Sequence, residues 1–404
     1  MYEHLPVYPG DPILSLHQAF LADSRPHKVS LSIGIYTDER GRLPLLESVQ
    51  EAGTALVAQH RPCGYLPMEG AADYRAAVQS LVFGDGHPAL GVGRIATIQT
   101  VGGSGALRIG ADFLRAFFPD SAVWLSDPSW ENHEVIMRAA GLRVERYPYY
   151  DAASNGLRFA EMLACWEGLP ARSVVLIQPC CHNPTGIDLD REQWRQAIAV
   201  LKQRDLIPFL DMAYQGFGDG VEEDAWAVRA IVDAGLCPLV STSFSKNFSL
   251  YGERCGSLSV VCPTAAEAER VLGQLQAGVR RIYSSPPLHG AQLVGMVLAS
   301  EPLRARWLDE VRGMRERIRR MRGRLAGLVA ERLPGTPVDF LTRQRGMFSY
   351  TGLTAAEVDT LRERHGVYLV RSGRMCVAGL TDANVEAVAD AMAAVLRERQ
   401  PNKS

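Results

Sequence analysis

The chain has 404 residues, of which 47% are hydrophobic and 22% are charged, and its formal net charge is -2. This composition is typical of a globular protein and excludes collagen-like repeats and disorder along the whole chain. The balance of 43 basic and 45 acidic residues disfavours partners such as nucleic acid or an anionic membrane. At about 100 to 200 residues per domain, this length predicts two domains.

An extended arm is expected at residues 6–12, which include three prolines. Strand-like and helical segments then alternate. The seven strand-like segments are 94–100, 122–126, 143–147, 173–178, 207–210, 239–243 and 256–261. The helical segments are 106–117, 131–140, 191–204, 224–234 and 265–278. Such alternation predicts an α/β fold whose large domain contains a mostly parallel, seven-stranded sheet flanked by helices.

The pattern changes after residue 303. Apolar residues recur there at alternate spacings of four and three, which predicts one long amphipathic helix. Nine arginines lie between Arg304 and Arg324, and we expect them to fill the solvent-facing side of this helix rather than to bind nucleic acid. We predict an N-terminal arm with part of a small domain over 1–44, a large domain over 45–305 and a small α/β C-terminal domain over 306–404.

Lysine is scarce in this sequence. The 43 basic residues include only four lysines, which are Lys28, Lys202, Lys246 and Lys403. A guanidinium group stays protonated and cannot condense with an aldehyde, whereas a lysine amine can. Chemistry that needs a primary amine therefore has few candidates in this chain.

The eight cysteines lack the paired C-x2-C spacing of a zinc site. Cys180 and Cys181 are adjacent and precede His182, but buried cysteine commonly behaves as a small hydrophobe, so we predict no metal. The first residues lack the pattern of a signal peptide, and no stretch reaches about 18 apolar residues. We therefore expect a reducing, cytoplasmic location.

Chemically distinctive side chains follow three of the predicted strands. Asn183, Asp211 with Tyr214, and Lys246 follow the fourth, fifth and sixth strands. Ligands of open parallel sheets bind at the carboxyl ends of the strands, so these side chains are expected to converge. Pyridoxal phosphate requires a lysine for a Schiff base, a carboxylate for its pyridine nitrogen and donors for its 3′ oxygen. The pattern therefore favours a pyridoxal-phosphate site.

A phosphate site is also expected. The glycine-rich segment VGGSGALRIG follows the strand 94–100 and leads into a helix, where free N–H groups and the helix dipole favour an anion. Gly103 and Gly105 are followed by Arg108 where the third glycine of a dinucleotide motif belongs, and no P-loop G-K-[ST] follows. Dinucleotide-binding and P-loop proteins are thereby disfavoured.

With these motifs, the chain resembles the class I pyridoxal-phosphate aminotransferases of the aspartate and aromatic amino acid group. The resemblance extends from Gly10 to Leu380. Its most diagnostic segments are YLPMEG, GGSGALRIGADF, SDPSWENH, CCHNPTG, DMAYQGF, SFSKNFSLYGERCG, VRRIYSSPP and RGMFSYTGL. It implies fold type I, with pyridoxal 5′-phosphate bound in the large domain, and a homodimer with shared active sites. Ser285 in the segment SSPP is more similar to the aromatic, tyrosine-accepting branch, since aspartate-selective members typically have Asn there.

The resemblance also implies the role of each cofactor residue. Lys246 would bond to the cofactor and carry the α proton, and Asp211 would pair with the pyridinium, with His133 behind it. Asn183 and Tyr214 would hydrogen-bond to the 3′ oxygen. The other implied cofactor-binding residues are Trp130 on the ring, Gly103, Ser104, Gly105, Ser243 and Arg254 at the phosphate, and Tyr65 from the neighbouring subunit.

For the substrate, the resemblance implies that Arg374 binds the α-carboxylate, with Gly34 and Asn183 beside it. Arg280, supplied across the dimer, would pair with a distal carboxylate. Trp130 and Phe348 are the other implied substrate-binding residues. Gln178 departs from the histidine often found before the two cysteines, which leaves the surroundings of Asp211 open.

The implied reaction is ping-pong transamination of tyrosine, phenylalanine and also aspartate, with 2-oxoglutarate as the amino acceptor. An aspartate-selective aminotransferase is the nearest alternative. A pyridoxal-phosphate lyase or decarboxylase fits less well, because Arg374 and Arg280 together suit exchange between two acids. A non-catalytic binding protein on the same fold would require the complete cofactor set without turnover.

Overall fold

The computed structural model describes residues 1–8 and 10–399. Pro9 of the expected arm and residues 400–404 therefore lie outside the described residues. The chain forms two compact units, which we call the large unit (Pro44–Glu316) and the small unit (Met1–Leu43 with Arg317–Ser404). The domain boundaries placed after residues 44 and 305 stay a prediction.

The elements are numbered in chain order. The strands are β1 (Val29–Ser30), β2 (Ile95–Val101), β3 (Ala122–Asp127), β4 (Arg143–Pro148), β5 (Tyr150–Asp151), β6 (Gly156–Leu157), β7 (Val174–Ile177), β8 (Ile207–Met212), β9 (Leu239–Ser243), β10 (Cys255–Val261), β11 (Phe348–Tyr350), β12 (Val367–Tyr368) and β13 (Arg374–Cys376). The helices are α1 (Pro12–Ala22), α2 (Glu47–Ala58), α3 (Ala72–Phe83), α4 (Pro88–Gly91), α5 (Gly102–Phe117), α6 (Glu131–Ala139), α7 (Phe159–Glu167), α8 (Arg191–Gln203), α9 (Val221–Asp233), α10 (Ala265–Ile282), α11 (His289–Ala299), α12 (Glu301–Arg332), α13 (Phe340–Arg343), α14 (Ala355–His365) and α15 (Val385–Arg399).

The large unit contains a seven-stranded sheet in the order β2-β10-β9-β8-β7-β3-β4. Neighbouring strands from β9 to β4 are parallel, whereas β10 is antiparallel to both β9 and β2. The mostly parallel, seven-stranded sheet predicted from the alternating pattern is thus confirmed. The strand order brings the carboxyl ends of β7, β8 and β9 to one edge, where a ligand is expected.

Helices cover the sheet closely. All residues of β7 and β10 are buried, as is usual for strands with both faces covered. Gly110 of α5 is one reason for the close contact, because a Cβ atom there would lie 2.5 Å from Cζ of Phe209 on β8. The helix is therefore held tightly against the strands that carry the site.

Helix α5 begins four residues earlier than the predicted start at residue 106, so that expectation was wrong. Gly102 has a φ of +64°, in the left-handed region that glycine tolerates. This conformation turns the chain directly from β2 into the helix. The glycine-rich segment therefore forms the first helical turn itself, rather than a loop before it.

The long amphipathic helix is present as α12, but the expectation that the nine arginines from Arg304 to Arg324 all face solvent was wrong. Arg317 and Arg322 are only 7% and 3% exposed. Arg317 donates to the carbonyl of Leu380 and pairs with Glu39 at 2.8 Å, and Arg322 donates to the carbonyl of Gly346 at 2.8 Å. Both guanidinium groups can be buried because carbonyl oxygens of the small unit accept their hydrogen bonds.

The small unit contains two short strand pairs, the parallel pair β1 and β12 and the antiparallel pair β11 and β13. Helix α14 begins with a capping box between Thr354 and Glu357 and ends at Gly366, which is left-handed. Among the helices of the described residues, none combines the length and apolar character needed to cross a lipid bilayer.

Candidate active site

A cavity in the large unit lies where the carboxyl ends of β7, β8 and β9 meet the first turn of α5. Its lining residues are Gly103, Ser104, Leu107, Trp130, Gln178, Asn183, Asp211, Ala213, Tyr214, Ser243, Ser245, Lys246, Tyr251 and Arg254. Three of these carry charge, namely Asp211, Lys246 and Arg254. The strand-end side chains singled out from the sequence therefore do line one cavity.

Lys246 supplies the amine of this cavity. Loss of hydration, with the charge of Arg254 as a smaller contribution, lowers the pKa of Lys246 from 10.5 to about 8, against the opposing effect of Asp211. Its Nζ atom lies 5.2 Å from the centroid of the Tyr214 ring. A substantial fraction of this amine is therefore neutral near physiological pH and able to act as a nucleophile or a base.

Asp211 is held by two side chains from behind the cavity. His133 Nε2 lies 2.9 Å from Oδ2 of Asp211, and Ser129 Oγ lies 2.9 Å from His133 Nδ1. Ser241, directly opposite Asp211 on β9, donates to its Oδ1 at 3.2 Å. His133 is fully buried and does not line the cavity. These contacts fix the orientation of the carboxylate while leaving it at the cavity wall.

The other end of the cavity suits an anion. Gly103 and Ser104 lie in the first turn of α5, where backbone N–H groups lack helical partners. Arg254 lines the same cavity and donates to Ser245 Oγ at 3.3 Å. A Cβ atom at Gly256 would lie 2.5 Å from the carbonyl carbon of Gly102, so glycine permits this close approach of β10 and α5. Cationic and hydroxyl donors thus converge there.

Asn183 and Tyr214 face each other across the cavity wall. The Nδ2 atom of Asn183 donates to Oη of Tyr214 at 3.3 Å. Trp130 also lines the cavity and its ring packs edge-on against His133, with centroids 5.2 Å apart. An aromatic face, an amide and a phenol therefore surround the space between Asp211 and the anion end.

Several predicted cofactor and substrate residues lie outside this cavity lining. Gly105 is inside α5, where a Cβ atom would lie 3.3 Å from Cβ of Val101. Tyr65 is 99% exposed, and Arg280 is exposed in the last turn of α10. Neither Tyr65 nor Arg280 is brought to the cavity of its own chain.

Three of the predicted substrate residues lie together in the small unit. Arg374 is buried, donates to the carbonyl of Ser32 at 2.8 Å and lies over the ring of Phe348, 4.6 Å from its centroid. A Cβ atom at Gly34 would lie 2.8 Å from Cζ of Phe348. The guanidinium is therefore held in a defined position by its aromatic support.

Sequence reasoning missed several residues that shape the cavity. Ser245 and Tyr251 line it, and Ser129 and Ser241 support Asp211 from behind. The alternation Ser241, Ser243 and Ser245 along β9 and the turn before Lys246 was an available signal. The contribution of Tyr251 depends on the turn between β9 and β10 and has no marker in the sequence.

Cys180, Cys181 and Asp224 form a buried group whose potential ligand atoms lie within 4.8 Å of one another. The carboxylate of Asp224 accepts hydrogen bonds from three backbone N–H groups, those of Gly216, Gly218 and Asp219. A hydrogen bond to Cys181 and burial raise the pKa of the Cys180 thiol. Asp224 therefore serves to hold the loop after β8.

The donor set of the cavity fits pyridoxal phosphate. The phosphate matches the end with Arg254 and the first turn of α5, and the pyridine nitrogen matches the carboxylate of Asp211. Lys246 supplies the amine that an aldehyde requires, and its lowered pKa suits that role.

Residues 26–392 match the model of the family described as aminotransferase class I and II. The chain belongs to this family, and the predicted aminotransferase activity is confirmed. It is 59% identical over 397 residues to the aromatic-amino-acid aminotransferase of Escherichia coli (strain K12), covering 98% of this chain and 100% of that protein. It is 50% identical over 396 residues to an aspartate aminotransferase of Pseudomonas aeruginosa, with 98% and 100% coverage.

Solved structures of aromatic amino acid aminotransferases are similar to this chain in both sequence and fold. A crystal structure of an aromatic amino acid aminotransferase from Burkholderia cenocepacia is 57% identical, with a TM-score of 0.96 over 98% of this chain and 99% of that chain. An aromatic-amino-acid aminotransferase from Burkholderia pseudomallei, covalently bound to pyridoxal phosphate, is 51% identical with a TM-score of 0.96, over 98% of this chain and 99% of that chain. The fold is therefore that of these aminotransferases.

Proposed function

We propose that this protein transfers the amino group of tyrosine and phenylalanine, and also of aspartate, to 2-oxoglutarate, using pyridoxal 5′-phosphate in a ping-pong reaction. The observation that carries the proposal is the single cavity in which an amine of lowered pKa (Lys246), a supported carboxylate (Asp211) and a cationic anion site (Arg254) converge. The names of its relatives at 59% and 57% identity support aromatic substrates.

The residues that would hold the cofactor are those already at the cavity. Arg254, Ser104, Ser243 and the N–H groups of the first turn of α5 would bind the phosphate, and Trp130 would lie against the ring. When bound, pyridoxal phosphate supplies an aldehyde that bonds to amines and a ring that stores the electrons left by the α proton. Asp211 would pair with the protonated pyridine nitrogen, and the contacts with His133 and Ser241 orient its carboxylate for this role.

Lys246 has two tasks in this proposal. Its neutral amine would bond to the aldehyde of the cofactor, and once free of the cofactor it would carry a proton at its Nζ atom. A lysine with an ordinary pKa near 10.4 would hold its proton too tightly for this second task at neutral pH. Burial lowers the pKa of Lys246 to about 8, which favours the neutral amine that both tasks need.

Arg374 is proposed to bind the α-carboxylate of the substrate. Its guanidinium is buried, and the Phe348 ring beneath it limits its rotation. A planar guanidinium held in this way can form two parallel hydrogen bonds to a carboxylate. The amino acid would then be oriented by its carboxylate as well as by its amine.

A homodimer with shared sites is part of the proposal. Tyr65 is 99% exposed and Arg280 is exposed on its own subunit, so both side chains are accessible to a second copy. The family resemblance assigns both to the active site of that copy. Arg280 would pair with the distal carboxylate of aspartate or 2-oxoglutarate and move away when an aromatic ring binds, since an unpaired buried charge costs several kcal/mol.

A reducing, cytoplasmic location is also proposed. Within the described part of the chain, no disulfide joins any of the eight cysteines. Disulfides persist mainly in oxidising compartments, so eight cysteines without a disulfide suit a reducing one.

An aspartate-selective aminotransferase is the second candidate, because the relative from Pseudomonas aeruginosa bears that name at 50% identity. Initial rates with tyrosine, phenylalanine and aspartate, each with 2-oxoglutarate, separate the two. We expect kcat/KM for tyrosine to equal or exceed that for aspartate. A value for aspartate at least a hundredfold higher would replace the proposal with the second candidate, and release of carbon dioxide or ammonia would indicate a decarboxylase or a lyase.

A further inference from the structure

Gln178 lines the cavity, follows β7 directly and is only 5% exposed. Its position is the one where the resembling family often has a histidine. A buried glutamine must satisfy both ends of its amide group. The hydrogen-bond partners of Gln178 therefore show what a glutamine at this position contributes in this chain.

Both polar atoms of the Gln178 side chain bind the same residue. Its Oε1 accepts from the backbone N–H of Asn183 at 2.8 Å, and its Nε2 donates to the carbonyl of Asn183 at 2.9 Å. The pairing defines the orientation of the amide, because a flipped amide would place donor against donor and acceptor against acceptor. The six-residue turn from Gln178 to Asn183 is closed at its ends by this pair.

The pair does not involve Asp211. The carboxylate of Asp211 is held by His133 and Ser241, whereas Gln178 is bound to Asn183. The side chain of Asn183 in turn donates to Tyr214 Oη. Gln178 thus fixes the backbone of Asn183, and the contact with Tyr214 restrains its carboxamide at the cavity.

We propose that Gln178 is a positioning residue, which clamps the backbone of Asn183 so that its carboxamide is presented to the 3′ oxygen of the cofactor. This inference rests on the proposed function. Glutamine has no titratable group, so the clamp is unchanged across the pH range of turnover, whereas a histidine there would change its charge near pH 6.5.

The test follows the visible absorbance of the cofactor-loaded enzyme against pH. A hydrogen bond from Asn183 stabilises the anionic form of the 3′ oxygen, so weaker positioning raises the midpoint of the absorbance change. We expect Gln178→Leu, which removes both bonds, to raise this midpoint by about 0.5 to 1 pH unit and to lower kcat/KM about 5- to 10-fold. Gln178→Glu keeps the acceptor but loses the donor, and we expect a shift in the same direction.

The decisive comparison measures the effect of Gln178→Leu in an enzyme that already carries Asn183→Ala. If Gln178 acts through Asn183, then Gln178→Leu moves the midpoint no further in the Asn183→Ala enzyme. An equal added shift in that background would overturn the inference, as would an unmoved midpoint in both single variants of Gln178. Gln178→Glu keeps the test available if Gln178→Leu does not fold.

Gln79→Leu is the matched control. Gln79 is a partly buried glutamine on α3 whose Nε2 donates to Thr97 Oγ1 at 2.9 Å and to the carbonyl of Ile95 at 3.1 Å, outside the cavity. We expect Gln79→Leu to lower the Tm without moving the absorbance midpoint. Failure of the wild-type protein to bind pyridoxal phosphate would instead refute the proposed function, which distinguishes the two failures.

Discussion

The lowered pKa of Lys246 predicts a cost to the stability of the cofactor-free protein. The ordinary pKa of 10.5 falls to about 8 in the folded state. This difference of about 2.5 units corresponds to about 3 kcal/mol at 1.36 kcal/mol per unit. Below about pH 8 both folded and unfolded states hold the proton, and the whole penalty is present. Between about pH 8 and 10.5 the unfolded state binds more protons, so folded stability rises with pH and the penalty is lost.

Lys246→Met tests this directly, because methionine removes the charge at similar length. We expect the cofactor-free variant to exceed the wild type in free energy of unfolding by about 3 kcal/mol at pH 7, plus a pH-independent packing difference. This advantage should shrink steadily between about pH 8 and 10. Denaturant unfolding at five or six pH values provides the measurement.

The control is Lys202→Met, since Lys202 is exposed and donates to the carbonyl of Ala234 at a helix end outside the cavity. Its stability difference from the wild type should be small. A Lys246→Met advantage that stays constant from pH 7 to 10, or that grows with pH, would refute the reasoning.

Four further variants are informative. Arg280→Ala should lower kcat/KM for aspartate and 2-oxoglutarate far more than it lowers kcat/KM for tyrosine. Equal losses for all three substrates, measured by initial rates, would contradict the role assigned to Arg280. His133→Leu leaves Asp211 without its 2.9 Å contact and should reduce kcat about 10- to 100-fold while the protein stays folded; an unchanged kcat would show that Ser241 suffices. Gly110→Ala should destabilise by about 1 to 3 kcal/mol, because its Cβ would lie 2.5 Å from an aromatic ring on β8. Gly313→Ala on α12, with nothing within 4 Å, should instead stabilise by about 0.5 to 1 kcal/mol in the same thermal unfolding assay.

The sheet and the cavity followed from local patterns because strand ends in a parallel sheet must meet. Apolar runs such as β7 marked the strands. The polar residues at or beyond their carboxyl ends, Asn183, Asp211 and Lys246, were brought together by topology alone. No sequence pattern, however, indicated that Arg317 and Arg322 would be buried. Their carbonyl partners come from distant parts of the chain, so only the tertiary structure shows them.

The start of α5 illustrates another limit of sequence reasoning. Glycine is a poor helix former, so the predicted helix was started at residue 106, after the glycine-rich turn. The left-handed Gly102 and the close approach of β10 made a helical turn the better solution. Likewise, Gln178 was associated with the surroundings of Asp211, and nothing in the sequence indicated that it pairs with Asn183.

The central claim is that the amine of Lys246 carries the cofactor. The most direct measurement is to incubate the protein with pyridoxal phosphate, reduce it with borohydride and map the modified peptide by mass spectrometry. The proposal predicts one stable pyridoxyl modification per chain, on the segment containing Ser245, Lys246 and Asn247, and its loss in Lys246→Ala. Modification concentrated on Lys28 or Lys202, or no modification with a colourless protein, would contradict it.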